Sequence, residues 1–246
     1  APHMRNALIS NLQDILDYDA DQASSAADEA FGNFAVTLHD FFNPHGIVID
    51  VPDRERIEAV RREHGGVLVL TFHLGHWELG ARTMQSWGWP VTAVYQPYKN
   101  PRFKKLIEES RAPGVTFLPV GGQAARGVRD ALKNGGVVAM LGDFPFGEDG
   151  EPVNLLGHRV LWPRGPVILA VRGGTPIVIA VIVREGPRRY RAIVEDPLIP
   201  KDTTLAEVDR LVQEVANKFG KVVARHPTQW YRFRPFEIVP DPSKVS

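Results

Sequence analysis

No cysteine occurs in the 246 residues. That absence removes disulfides, thiolate metal sites and cysteine nucleophiles, and says little about compartment. Net charge is missing too. The 29 Lys and Arg balance 29 Asp and Glu, so no overall field points to nucleic acid as a partner. No apolar run approaches the ~20 residues a helix needs to cross a bilayer. The longest, "PIVIAVIV" at 176–183, has the length of a strand. There is no signal-peptide pattern, no G-x-S-x-G nucleophile elbow and no linker rich in Gly, Pro or Ser. The opening "APHM", residues 1–4, reads as a cloning remnant, which leaves room for a natural anchoring segment upstream.

What is present is an ordinary globular balance, 43% hydrophobic and 24% charged, in a chain long enough to bury a sizeable core. Charge is uneven locally. Residues 12–30 carry six acidic side chains and no Lys or Arg, whereas residues 99–133 are rich in both. Such runs are either solvated helix faces or, for the basic one, a surface that meets phosphates on a ligand or a membrane. Residues 5–42 show two helical stretches. The second has apolar positions 27, 30, 31, 34, 35, 38, 41 and 42, a ring-rich stripe expected to pack on the rest. From residue 47 onward, short apolar runs alternate with helical segments as far as 238. Strands that read as continuous apolar runs argue a mostly parallel sheet covered on both faces. The expectation is one α/β domain over 5–246: a mixed, mostly parallel sheet flanked by helices, with an N-terminal helical pair packed on it. In such sheets, sites form beyond the carboxyl ends of strands.

One stretch stands at such an end. "GGVLVLTF" reads as a buried strand, "HLGHWELG" follows at 73–80, and a helix begins within it. His73 is the first residue beyond the strand, and Glu78 falls in the first turn of the helix, where the dipole favours an ionised carboxylate. A carboxylate on one imidazole nitrogen fixes the tautomer and stabilises the imidazolium, leaving the other nitrogen as a general base. That pairing needs no protein nucleophile. The same residues allow a metal reading, with His73, His76 and a carboxylate such as Glu78 or Asp143 around zinc or manganese. No H-x-H or H-E-x-x-H accompanies the cluster.

"HLGHWELG" resembles the H-x4-[DE] motif of the lysophospholipid acyltransferase superfamily. The nearest form is that of the branch holding bacterial lipid A late acyltransferases and phosphatidylinositol mannoside acyltransferases. "VYQPYKNPRFKKLIEESR", "GGVVAMLGDFPFG", the 153–185 block and "HPTQWYRFRPF" resemble later blocks of that branch in order and spacing, from about Asn11 to Phe236. The resemblance implies an O-acyltransferase that moves an acyl group from acyl-CoA or acyl carrier protein, as co-substrate, to a hydroxyl of a membrane lipid or glycolipid. It implies no cofactor and no metal. It also implies work at the cytoplasmic face of the inner (plasma) membrane, where donor thioesters are made. His73 would be the base and Glu78 its partner, with Arg111 and Asp143 binding substrate or organising the site. Arg164, near a helix start, is expected to hold a phosphate of donor or acceptor.

The departures from the pattern carry information. Gln96 stands where the lipid A branch usually has arginine, which removes one expected phosphate partner and weighs against a lipid A precursor as acceptor. His76 stands where asparagine is common, and the 175–183 strand lacks a late proline. The Trp230, Tyr231, Phe233 and Phe236 rings, mixed with Arg232 and Arg234, suit either a headgroup boundary or a tail packed onto the sheet. His158 and His226 read as surface histidines. A lipid-binding module without catalysis remains the other rival, although such a module has no need of the His73/Glu78 pair.

Overall fold

The computed structural model describes residues 2–144 and 150–240. Two helices lead, α1 (Pro2–Leu16) and α2 (Ala20–Phe42), followed by β1 (Val48–Asp50), α3 (Arg54–His64) and β2 (Val67–Thr71). Next come α4 (Trp77–Ser86), β3 (Val91–Tyr95), α5 (Pro101–Ser110), β4 (Thr116–Pro119), α6 (Ala124–Lys133) and β5 (Val137–Leu141). The rest is β6 (Gly150–Leu155), β7 (His158–Pro163), α7 (Gly165–Gly173), β8 (Ile177–Gly186), β9 (Arg189–Val194) and α8 (Leu205–Arg225).

Seven strands form one sheet in the order β1-β9-β8-β2-β5-β3-β4, so β2 and β5 are central. The run from β8 to β4 is parallel; β9 returns antiparallel beside β8 and β1 pairs parallel with β9. The fold is α/β with a mixed, mostly parallel sheet. The central strands β2 and β5 are continuous apolar runs because both of their faces are covered, whereas β9 alternates exposed arginines with buried residues. Leu68, Leu70 and Phe72 point into one core with α6, α7 and α8, while Val67 and Val69 point into a second with α3 and α4. Leu8, Leu12 and Ile15 of α1 and Ala23, Ala27 and Ala30 of α2 join the first core.

Two features differ from the sequence expectation. Only part of the ring-rich stripe on α2 packs as expected: Phe41 is buried, and Phe31 and Phe34 lie against Phe233 and Tyr231, while Leu38 and Phe42 are exposed. The deepest face is a run of alanines that continues into Asn33, Thr37 and Asp40. Polar partners set this rotation. Asn33 Nδ2 donates to the Thr228 carbonyl at 2.9 Å, and the Tyr190 hydroxyl donates to Asp40 Oδ2 at 2.7 Å. The second feature is the β6–β7 hairpin, which sends Val153, Leu155, Val160 and Trp162 into the first core. Its turn residues, Leu156 and Gly157, both have positive φ (53° and 96°), as a type I′ turn requires. Asn-Gly is the readable signature of that turn, and Leu-Gly is not.

Candidate active site

The site begins with strand register. Thr71 of β2 lies level with Leu141 of β5, and the Gly142 N–H donates to the Thr71 carbonyl at 2.9 Å. Two residues past each level position come His73 and Asp143, so neighbouring strands deliver them side by side. His73 Nδ1 lies 2.7 Å from Asp143 Oδ1, and the His73 backbone N–H donates to Asp143 Oδ2 at 3.1 Å. Both carboxylate oxygens are thereby engaged. Nδ1 is taken, so Nε2 is the nitrogen left for the cleft that His73 lines, a space of about 470 Å³. Val94, Met140, Leu141, Phe144 and Phe233 give that cleft apolar walls, with Gln96 among them. Trp77 and Phe144 flank the imidazole, with ring centroids at 5.2 and 4.5 Å.

The Asp143 side chain is fully buried. Burial alone would push its carboxyl up, but the adjoining His73 ring, the Arg232 charge and the His73 N–H hold it below the usual carboxylate range. Asp143 is therefore ionised at neutral pH and fit to accept from Nδ1–H. The chain after α8 closes the site from behind. The Gly75 N–H donates to the Gln229 carbonyl at 2.8 Å and the Tyr231 N–H to the His73 carbonyl at 2.7 Å. The turn between His73 and α4 needs glycine at 75: φ is +62°, and a Cβ there would sit 2.0 Å from the Ile182 carbonyl oxygen.

This geometry corrects the expected partner of His73. Glu78 is in the first turn of α4, as the motif spacing requires, but it faces Arg111 at the end of α5, Oε1 to Nη2 3.4 Å. The left-handed turn at Gly75 and the His76 N–H, bonded to the Ile182 carbonyl at 2.7 Å, start the helix so that Glu78 projects away from Nδ1. Burial raises the Glu78 carboxyl even though Arg111 opposes it. At 3.4 Å the contact is long for a charge-assisted bond, and desolvation outweighs it. Arg111 is itself buried, its guanidinium 4.5 Å from the Tyr95 ring and 4.3 Å from that of Phe117. The pair forms one wall of a smaller cavity that shares Val94, Tyr95, Met140 and Leu141 with the main cleft.

The other expected residues scatter. Gln96 lines the cleft. Arg164 does not reach it; the guanidinium is engaged by Glu151 at 3.1 Å and Asp209 at 3.5 Å, beside the start of α7. His76 is buried against Tyr190, ring centroids 5.4 Å apart, with neither ring nitrogen bonded. Burial lowers its pKa to about 4, so it is neutral. Among the described residues no three His, Asp or Glu side chains gather as a metal would require, and His76 turns away from His73. Trp230, Tyr231 and Phe236 are buried as packing, whereas Phe233 is half-buried and lines the cleft. His158 Nε2 lies 3.3 Å from Asp17 Oδ1, and His226 ends α8. Sequence reasoning missed Asp143 as the histidine's partner. The signal was the shared offset: "VLVLT-F-H" and "VVAML-G-D" each place the polar residue two positions past a five-residue apolar strand.

The family model described as bacterial lipid A biosynthesis acyltransferase matches residues 22–235. A phosphatidylinositol mannoside acyltransferase of Mycobacterium tuberculosis is 26% identical over 175 residues, covering 70% of this chain and 54% of that one. The protein of that description from Mycolicibacterium smegmatis is 24% identical over 196 residues, 77% of this chain and 62% of that one. The chain thus spans between half and two thirds of these curated relatives. A solved structure, the 1-acyl-sn-glycerophosphate (LPA) acyltransferase PlsC from Thermotoga maritima, aligns over 90% of this chain and 94% of that one. Its TM-score is 0.42 and its identity 15%, too weak a likeness to carry an argument. The match to the family model runs from α2 through the whole sheet to the segment that closes over His73, and by it the chain belongs to the bacterial lipid A biosynthesis acyltransferase family.

Proposed function

We propose that the chain is an O-acyltransferase that moves a fatty acyl group from a thioester, acyl-CoA or acyl carrier protein, to a hydroxyl of a membrane lipid or glycolipid. The observation that carries this reading is His73, with Nδ1 fixed by an ionised Asp143 and Nε2 left to an apolar-walled cleft. The acceptor hydroxyl gives its proton to Nε2 as its oxygen bonds to the thioester carbon, and Asp143 stabilises the imidazolium. The tetrahedral oxyanion then collapses, the C–S bond breaks, and the thiolate leaves with or without the proton held on His73. A thiolate is a good leaving group, so one base serves the whole reaction. The acyl chain would lie along the apolar walls of the 470 Å³ cleft itself. The cavities beyond it, which share Thr71, Trp77, Ala81 and Ala139 under α4, hold only about 50 Å³ each.

A glycolipid such as a mannosylated phosphatidylinositol is the first acceptor to try, since the curated relatives carry that name. Among the described residues no helix is long and apolar enough to cross a membrane. Access to a lipid is supported by exposed Tyr98, Phe103 and Leu106 on and before α5, interleaved with Lys99, Arg102 and Lys105. Work at the cytoplasmic face of the inner membrane belongs to the same proposal.

The test is mass spectrometry of lipids after incubation with palmitoyl-CoA and a polar lipid extract, beside a His73→Ala sample. A lipid that gains one acyl group only with the unsubstituted protein is the expected result. Equal acylation by His73→Ala would sink the base assignment. Release of free fatty acid alone, with every lipid and both donor types offered, would make the chain a thioesterase.

A further inference from the structure

We infer that Arg232 is a positioning residue of this site: it fixes the Asp143 main chain and keeps a positive charge behind the carboxylate, so that His73 retains its working tautomer. The inference rests on the general-base reading above. Arg232 is 3% exposed, deeper than most arginines are found, and lies on the segment that follows α8. Its Nη1 donates to the Asp143 carbonyl oxygen. Its guanidinium lies over the Phe144 ring at 4.3 Å and the Phe236 ring at 3.7 Å. The residue before it, Tyr231, donates its backbone N–H to the His73 carbonyl at 2.7 Å. Two consecutive residues therefore hold the main chains of both members of the pair. The segment is anchored in turn by Asn11 of α1, whose Nδ2 donates to the carbonyls of Arg232 and Arg234 at 2.9 Å each.

The charge matters as much as the bond. A carboxylate this deeply buried is driven to take up a proton unless cations face it. Among the described residues, two cationic or titratable groups face Asp143: His73, from the turn after β2, and Arg232, from the C-terminal segment. Arg234 lies farther off, 5.8 Å over the Phe144 ring. A neutral Asp143 would be free to donate to Nδ1, leaving Nε2 protonated and useless as a base. Burial lowers Arg232 to about 10, so it is still cationic at neutral pH. A lysine at 232 keeps the charge but loses the planar stack.

The test compares Arg232→Gln, which keeps a donor for the Asp143 carbonyl and loses the charge, with Arg232→Lys, which keeps the charge. Two quantities are read: kcat and KM for palmitoyl-CoA, and the pH titration of the His73 ring by nitrogen NMR. Loss of a nearby cation lets the His73–Asp143 pair hold protons more readily. In Arg232→Gln the His73 midpoint therefore moves to higher pH and kcat falls roughly 10-fold or more, a share of the ~10²–10⁴ a positioned base supplies. KM changes little. Arg232→Lys returns the midpoint and most of kcat. An unmoved midpoint in a folded Arg232→Gln protein overturns the inference, as does an Arg232→Lys midpoint displaced from the natural one. The Lys variant carries the test alone if the Gln variant does not fold. A displaced midpoint in a chain that acylates nothing would leave Arg232 in this role and remove the acyltransferase reading instead.

Discussion

Two pairs, a carboxylate with an imidazole and a carboxylate with a guanidinium, flank the cleft, and they are held by different means. His73 and Asp143 stand at equal offsets past neighbouring central strands, so the backbone ladder of β2 and β5 fixes their separation at 2.7 Å. Glu78 and Arg111 come from the first turn of α4 and the end of α5, and meet only at 3.4 Å. A ladder leaves little room for drift, whereas two helix ends move with their packing. The electrostatics follow. Burial competes with the partners in both places and loses at Asp143, which is held below its usual range, but wins at Glu78, which is raised. The difference teaches that the carboxylate nearest in sequence is the less able partner.

The largest expected effects test that difference directly. Asp143→Asn presents an amide where Nδ1 needs an anion, so kcat should fall by about 10³–10⁴ with the fold intact. Glu78→Gln should cost only about 10-fold, and Glu78→Gln with Arg111→Gln no more than the worse single change, because one contact is being removed twice. Steady-state kinetics on the natural protein, the three single variants (Asp143→Asn, Glu78→Gln and Arg111→Gln) and the double variant would show it. A Glu78→Gln loss as deep as that of Asp143→Asn would break the comparison and return the sequence motif to its expected role. Next in size is Gly75→Ala. A left-handed φ and a Cβ set against the Ile182 carbonyl should together lower stability by more than about 2 kcal/mol, read from chemical denaturation. An unchanged midpoint would mean the His73 turn relaxes freely.

Much of this was legible in the sequence. Apolar runs of strand length alternating with helices carry the parallel sheet, and "GGVLVLTF" ahead of His73 places a polar residue at a strand end. The neighbour across the sheet is harder to read. β2 pairs with β5 only after three helical connections, and nothing local says that Asp143, seventy residues on, arrives level with His73. Glu78 was favoured because helix-start chemistry is local and therefore readable. Arg164 looked like a phosphate ligand because its acidic partners, Glu151 and Asp209, come from β6 and α8. On α2 the ring hydrophobicity is visible and locates Phe31, Phe34 and Phe41, but the polar half of the buried face is not, because the partners of Asn33 and Asp40 lie more than a hundred residues away.

The smallest effect on turnover is expected at the other histidine of the motif, three residues from His73. Among the described residues neither ring nitrogen of His76 has a hydrogen-bond partner, and the charge of Asp40 offsets burial only in part, so this histidine serves as the control for what Asp143 gives His73. Burial holds its folded pKa at about 4, below the ordinary 6.5. Between those values the unfolded chain takes up a proton that the folded chain refuses. Stability is therefore full above pH ~6.5, declines as pH falls toward ~4 and levels off below, a loss of about 3 kcal/mol at most. His76→Phe keeps a ring against Tyr190 and keeps the backbone N–H on Ile182. Urea denaturation at pH 7 and pH 4.5 should show the variant losing about 2–3 kcal/mol less than the natural protein across that interval, with kcat within about twofold. Since nothing bonds the imidazole, the variant should be no less stable at pH 7. An equal loss in both proteins would place the acid sensitivity elsewhere. A large fall in kcat would mean that His76 reaches the reaction after all, and the contrast between the two histidines would fail with it.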